Sequence, residues 1–246
     1  MRMLYILIYP IVLKLHHSTD DSFKDTPHYK LTLLLEEELP EASRREAIDE
    51  IADRFCSNHG SNKNSRKRLY KTLFLVPRTR LDLLPYYARC AAIIDRVYLD
   101  STLVEELEQQ MHGQARYKKN SHLESRLRTV RYLGELTKFK VAPPMVILRG
   151  LRRCLEDFSG CNIDVACCIL EVCGRYLYRM KHTHARLESL METMMRIKKA
   201  RVSKICVILV CTHFHFILHY IYSFFYFCVC DRILTKDMWQ PLHLPS

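Results

Sequence analysis

Between residues 41 and 200 the apolar positions return every three or four residues, in blocks separated by polar or proline-bearing breaks. That spacing traces one face of an α-helix, so each block predicts a helix and each break a turn. In Glu41 to Ser57 the apolar stripe is Ala47, Ile48, Ile51, Ala52 and Phe55, and the polar SNHGSNKN predicts a loop after it. From Ser65 to Val76 a basic start, Arg66, Lys67, Arg68 and Lys71, precedes Leu69, Leu73 and Val76. Pro77 stops that helix, because its ring cannot continue the hydrogen-bond ladder. Thr79 and Asp82 have the spacing of a capping box ahead of LDLLPYYARCAAII, and Pro85 sits early enough to be tolerated or to kink the helix. Ser101 to Gln114 sets Leu103, Val104 and Leu107 against Glu105, Glu106 and Glu108, and the charge reversal at ARYKKNSH marks a loop.

In Leu123 to Lys140 the pattern predicts two faces. Leu123, Leu127, Val130, Leu133, Gly134 and Thr137 fall on one side and build core. Glu124, Arg128, Arg131, Glu135 and Lys138 line the other, with Glu124–Arg128 and Arg131–Glu135 at the four-residue spacing of helix ion pairs, worth about 0.2 to 0.5 kcal/mol each. Pro143 and Pro144 then open a helix through Met145, Ile147, Leu148, Leu151 and Leu155, prolines being accepted in a first turn whose N–H groups have no helical acceptor. Ser159 to Asn162 supplies a turn, Asn162 reads as the N-cap, Asp164 complements the helix dipole, and Val165, Ile169, Val172 and Tyr176 form the next buried stripe. In Arg186 to Lys199, Leu187, Leu190, Met191, Met194 and Ile197 face inward, while Glu188, Glu192, Arg196 and Lys199 face water. The whole reads as all-α: antiparallel helical hairpins stacked as a HEAT-like solenoid, with about forty residues per helix pair.

Composition narrows the class without naming a task. With 246 residues the chain has room for one large domain or two small ones and can bury most of its surface without staples. Six glycines and the absence of Asn-Gly or Asp-Gly doublets disfavour hairpin-rich β architectures. A formal charge of +11 and a pI near 9.1 favour acidic partners: RNA, an anionic membrane surface or an acidic protein patch. The eleven cysteines are odd in number and follow helical spacing, with no paired CxxC motifs, so they read as reduced core thiols and not as a disulfide framework or zinc site.

The cations cluster in three places. They supply the candidate RNA or partner contacts: Lys63, Arg66, Lys67, Arg68 and Lys71, then Arg78 and Arg80, then Arg116, Lys118 and Lys119. Asn62 and Asn64 flank the first cluster, and Tyr70 or Tyr117 could stack a base. Basic side chains on helices and loops also serve simply as a solvated face. No arginine-glycine tract or aromatic RNP pattern adds sequence specificity, so an RNA contact here is backbone-directed and salt-sensitive. Enzymatic inventories are missing: there is no phosphate-cradling glycine loop, no GxSxG elbow and no HExxH helix. His16–His17, His182–His184 and His213–His215 are adjacent or two apart, a spacing that points helical side chains away from each other, so neither a metal nor a cofactor is expected.

Four stretches carry a family likeness: SNKNSRKRL (Ser61 to Leu69), PRTRLDLLPYYAR (Pro77 to Arg89), TVRYLGELTKFK (Thr129 to Lys140) and ACCILEVCGRYLYR (Ala166 to Arg179). In this order they resemble the up-frameshift two family of nonsense-mediated decay scaffolds, specifically its second middle domain of the initiation factor 4G type, over about Leu39 to Ala200. The resemblance implies a HEAT-type hairpin stack, incomplete here, that acts without chemistry of its own. It implies a cytoplasmic adaptor in nonsense-mediated mRNA decay that holds RNA and decay-factor proteins, among them the up-frameshift helicase and exon-junction-linked factors. The family's helicase- and exon-junction-bridging segments have no counterpart in this chain, so direct bridging is not implied. A translation-initiation adaptor of the same fold is the alternative within the class.

The ends depart from that likeness. Residues 1–38 show no clear element beyond an apolar run, Met3 to Leu13, broken by Pro10. After Ala200 comes Ile205 to Cys230, free of Asp, Glu, Lys and Arg and long enough to cross a hydrocarbon core of about 30 Å. Read physically, that is a transmembrane helix, and the lysines and arginines before it would leave a basic helical domain on the cytosolic side of a tail-anchored protein. Val202, Ser203 and Lys204 can also be encoded by GTA AGT AAA, a translated splice-donor consensus, which makes residues 201–246 a translated intron in the second reading.

Overall fold

The computed structural model describes residues 26–77, 79–95, 102–115 and 122–202. The Met3 to Leu13 and Ile205 to Cys230 runs lie outside them, and no described helix is long and apolar enough to cross a membrane. The described residues form helices α1 (Pro27–Leu33), α2 (Leu39–Glu41), α3 (Arg45–His59), α4 (Lys63–Phe74), α5 (Leu84–Asp95), α6 (Thr102–Ala115), α7 (Leu123–Lys138), α8 (Pro144–Glu156), α9 (Cys161–Ile169), α10 (Arg175–Arg179) and α11 (Lys181–Val202). A π turn, Leu34–Glu38, joins α1 to α2, and a second, Leu170–Gly174, joins α9 to α10.

The helices pack in two layers. One runs α1 and its π turn, α3, α5, α7, then α9; the other runs α4, α6, α8, α11. Each helix therefore meets the helix one hairpin earlier and one hairpin later, the arrangement of a HEAT-like solenoid. Polar contacts repeat at the same interval: Arg68 with His28, Arg89 with Asp49, Arg131 with Glu171, Arg149 with Glu108, Arg153 with His112 and Arg186 with Met145 all join residues 40 or 41 apart. A period of about forty residues is thus written in side-chain contacts as well as in helix lengths.

A helix precedes the ones that the apolar spacing predicts. Pro27 occupies the first turn of α1, and Thr26 caps it, its Oγ1 accepting from the Tyr29 N–H at 3.4 Å. Leu31, Leu34, Leu35 and Leu39 bury against the stack, each contributing about 1.5 to 3 kcal/mol of transfer free energy. α4 starts at Lys63, with Asn62 as its N-cap accepting from the Asn64 N–H at 2.9 Å, and ends at Phe74 before Pro77. Pro85 sits in the first turn of α5, where its missing N–H does no harm.

Two predicted caps are replaced. No side chain caps the 3-10 turn Leu81–Leu83 that leads into α5; Asp82 is instead clasped by Arg80 at 3.0 to 3.1 Å, a charged partner that a backbone amide cannot match. Asn162 lies inside α9, whose N-cap is Gly160 at φ 47°, a conformation that glycine adopts without a Cβ clash. The Asn162 amide donates to the Asp157 carbonyl at 2.7 Å and accepts from Arg126 at 2.5 Å, tying the turn to α7.

The largest correction concerns α7. It packs on α5, α6, α8, α9 and the second π turn, so most of the side predicted to face water meets protein instead, and of its charges only Glu124 is exposed. Arg128 is 7% exposed and Glu135 6%, with Tyr132 and Leu136 buried beside them, while Leu123 and Leu127 are only half-buried. Arg128 donates to the Val76 carbonyl at 2.8 Å and to Gln110 at 3.3 Å; Arg131 reaches Glu171 at 3.3 Å; Glu135 accepts from Lys138 at 2.8 Å. Arg128, Arg131 and Glu135, three of the charges predicted to pair along the helix, therefore tie it to its neighbours or to its own last turn, while Glu124 stays exposed.

Gly134 sets how closely the next hairpin approaches. A Cβ there would lie 2.8 Å from Cγ1 of Val172, so the second π turn can seat Val172 and Cys173 only against a glycine. Val130, Leu133, Val165 and Ile169 are buried around this crossing and Val172 is half-buried. α7 then closes in a Schellman motif: Lys140 takes φ 65°, its N–H reaches the Thr137 carbonyl at 3.1 Å, and the Val141 N–H reaches the Leu136 carbonyl at 3.0 Å. At the last corner Thr183 is fully buried and its hydroxyl donates to the carbonyls of Leu177 at 2.5 Å and Met180 at 3.2 Å, stitching α10 to α11.

Candidate nucleic-acid interface

α4 belongs to the first hairpin and has solvent on one side, because only α6 and the first π turn pack closely on it. Ser65, Leu69 and Leu73 point into the core at helical spacing, which rotates Lys63, Lys67 and Lys71 outward. These three lysines are exposed, stand one turn apart on a single face, and make no ion pair among the described residues. Leu75, 57% exposed, continues the line beyond the helix end.

The arginines between them have other occupations. Arg68 lies against α1 and the first π turn, with one Nη 3.1 Å from His28 Nε2 and the other donating to Thr32 Oγ1 at 3.0 Å and Glu36 Oε1 at 3.1 Å. Arg66 is half-buried and donates to the Gly60 carbonyl at 3.3 Å, closing the turn before α4. Arg80 is exposed, but Asp82 neutralises it, and the Arg80 guanidinium in return holds the Asp82 carboxyl below its ordinary range. Arg78, Arg116, Lys118 and Lys119, together with Tyr117, lie outside the described residues. Tyr70 is not an open stacking surface: its ring is half-buried and lies parallel to that of Phe74, centroids 6.3 Å apart, and burial, with Glu106 nearby, raises its phenol.

Six of the seven described thiols belong to the core. Cys90, Cys154, Cys161, Cys167, Cys168 and Cys173 are buried. Burial pushes Cys90, Cys167 and Cys173 up to about 12 and Cys154 up to about 11, so they stay protonated and are poor nucleophiles at neutral pH. Cys56 is half-buried and raised for the same reason.

A second basic surface lies at the α10–α11 corner, in RYLYRMKHTHAR, residues 175 to 186. Its legible signal is the absence of any acid between Glu171 and Glu188, with four Lys or Arg and two Tyr in that interval. Packing logic hides it, because Tyr176 and Leu177 in the same stretch do face the core.

A stack of helical hairpins with buried thiols and an open cationic helix defines a protein of the α-solenoid class, built to present surfaces. Residues 37–211 match the MIF4G domain family, and the chain belongs to that family. It is 40% identical over 186 residues to Regulator of nonsense transcripts 2 of Homo sapiens, covering 74% of this chain and 14% of that protein. It is 39% identical over 165 residues to Regulator of nonsense transcripts UPF2 of Arabidopsis thaliana, covering 66% of this chain and 14% of that protein. It is also 32% identical over 164 residues to Nonsense-mediated mRNA decay protein 2 of Schizosaccharomyces pombe, covering 66% of this chain and 15% of that protein. The chain thus spans about one seventh of the length of these curated relatives.

Proposed function

We propose that this chain supplies a non-enzymatic adaptor domain of the nonsense-mediated mRNA decay machinery, acting in the cytoplasm, with residues 39–200 as the binding unit. The names of its relatives support the pathway, and a hairpin stack with an exposed cationic helix supports a surface that binds. Within that role, α4 contacts the phosphate backbone of RNA. The observation that carries this reading is the exposed row Lys63, Lys67 and Lys71, left without acidic partners while Arg66 and Arg68 are drawn into the fold.

Three lysines contacting phosphates bind through counterion release. Affinity then falls steeply with salt and is indifferent to base sequence. Replacing all three by Glu in the full chain should abolish most binding to single-stranded RNA in fluorescence anisotropy and lower the salt slope by roughly 2 to 3. An unchanged slope would remove α4 from the interface. Decay-factor proteins, the up-frameshift helicase among them, are the protein partners of this reading. A pull-down offering that helicase beside the translation-initiation helicase separates a decay adaptor from an initiation adaptor of the same fold.

A further inference from the structure

The corner between α10 and α11 holds an aromatic ring in solvent amid positive charge. Tyr178 is 38% exposed, although aromatic residues elsewhere in the stack, such as Tyr87 and Tyr132, are buried. The exposed ring is braced: His184 sits against it with centroids 4.2 Å apart at 55°, and His184 Nδ1 is 2.7 Å from the Tyr178 carbonyl oxygen. A carbonyl only accepts, so Nδ1 carries the proton and donates, which fixes the imidazole beside the ring. The backbone beneath is held by the buried Thr183 hydroxyl on Leu177 and Met180. Around this platform Arg179, Lys181, His182 and Arg186 are all exposed, and no Asp or Glu occurs from residue 172 to residue 187.

A cationic surface whose Arg179 and Lys181 make no ion pair among the described residues attracts any polyanion. A rigid, half-open aromatic face adds something that a phosphate or a carboxylate does not need and a nucleobase does. Stacking on an exposed ring, flanked by cations that track the backbone, is how single-stranded nucleic acid is held without sequence preference. We propose that this corner is a second RNA contact, in which a base stacks on Tyr178 while Arg179 and Lys181 take the neighbouring phosphates. It lies in the last described hairpin, whereas α4 lies in the first, so the two surfaces belong to different hairpins of the stack. This rests on the reading of the chain as an RNA-binding adaptor and adds a base-dependent site to its phosphate-dependent one.

The test uses the full chain with a single-stranded oligouridine and, in parallel, inorganic polyphosphate as a polyanion without bases. Tyr178→Ala should weaken RNA binding by about five- to a hundred-fold, the range for one lost base stack, and leave polyphosphate binding unchanged. Tyr178→Phe, which keeps the ring, should bind RNA like the parent. The double variant Arg179→Glu with Lys181→Glu should weaken both ligands together. All these side chains are exposed, so the variants should melt with the parent, and circular dichroism checks that they do. RNA affinity unmoved by Tyr178→Ala, or an equal loss for polyphosphate, overturns the stacking site, as does a polyglutamate peptide bound as tightly as RNA. Loss of RNA binding on the α4 lysine changes but not on Tyr178→Ala defeats this inference alone. The reverse pattern defeats the α4 reading alone, and a parent chain that binds no RNA defeats both.

Discussion

In α4 the cations Lys63, Lys67 and Lys71 stand in solvent, whereas in α7 Arg126, Arg128 and Glu135 are 4%, 7% and 6% exposed, although both helices read from sequence as amphipathic with a charged outer stripe. What separates them is the number of neighbours. α4 is covered closely by α6 and the first π turn, while α7 is packed by α5, α6, α8, α9 and the second π turn. A charge at the edge of the stack stays hydrated and free to meet a ligand. A charge in the middle must find partners inside the protein, and Arg128 finds the Val76 carbonyl and Gln110, while Arg126 finds Asn162. The same residue types therefore act as surface in one helix and as structural links in the other.

Truncating one cation in each helix should separate the two roles by the largest margin. Arg128→Ala should cost about 3 kcal/mol in chemical denaturation, because it empties a buried volume and leaves the Val76 carbonyl and Gln110 without their charged donor. Lys67→Ala should stay within about 0.5 kcal/mol of the parent. Equal effects would mean that depth in the stack does not decide the role of a charge.

A smaller effect probes the contact that keeps α7 central. Gly134→Ala gains about 1 kcal/mol of helix propensity but forces a methyl against Val172, and overpacking costs about 1 to 3 kcal/mol, so a net loss of about 1 kcal/mol is expected. Val172→Ala in the same chain should recover most of it, and a double-mutant cycle reads the coupling. Gly113 in α6 has open space where its Cβ would go, so Gly113→Ala is the control and should stabilise the helix slightly.

The smallest effect is electrostatic. Burial raises the Glu135 carboxyl above its ordinary value, against the opposing pull of Lys138. The folded state thus holds this proton at a pH where the unfolded state has released it. Its contribution to stability is present at acid pH and is lost as the pH rises from the ordinary carboxylate value through the raised one. Urea midpoints followed from acid to neutral pH should fall less for Glu135→Gln than for the parent. Parallel curves would show that Lys138 compensates the burial fully.

Much of the fold is legible in the sequence because helix periodicity is local. The inward residues Leu187, Leu190, Met191, Met194 and Ile197 of α11 are buried or half-buried, and Glu188, Glu192, Arg196 and Lys199 are exposed, as their spacing predicts. The forty-residue period is legible too, because every hairpin must bury the same kind of stripe. The caps were harder to read. Asp82 and Asn162 have suitable side chains at suitable spacing, yet Arg80 and Arg126 compete for them, and a charged partner outweighs a backbone amide.

The candidate site divides along the same line. Clustering marks Lys63, Arg66, Lys67, Arg68 and Lys71 together, but only contacts with Gly60, His28, Thr32 and Glu36 separate the two structural arginines from the three free lysines. Tyr70 and Tyr178 look equivalent in the chain; one packs on Phe74 and the other projects into solvent beside His184. The helices from residue 41 onward, their repeat, the family likeness and the excess of positive charge are legible in the chain alone, because they follow from residue type and short-range spacing, whereas α1 is not. Only the tertiary structure decided which charges remain on the surface, because burial depends on how many neighbouring helices surround each one, and that number is a property of the stack and not of the segment.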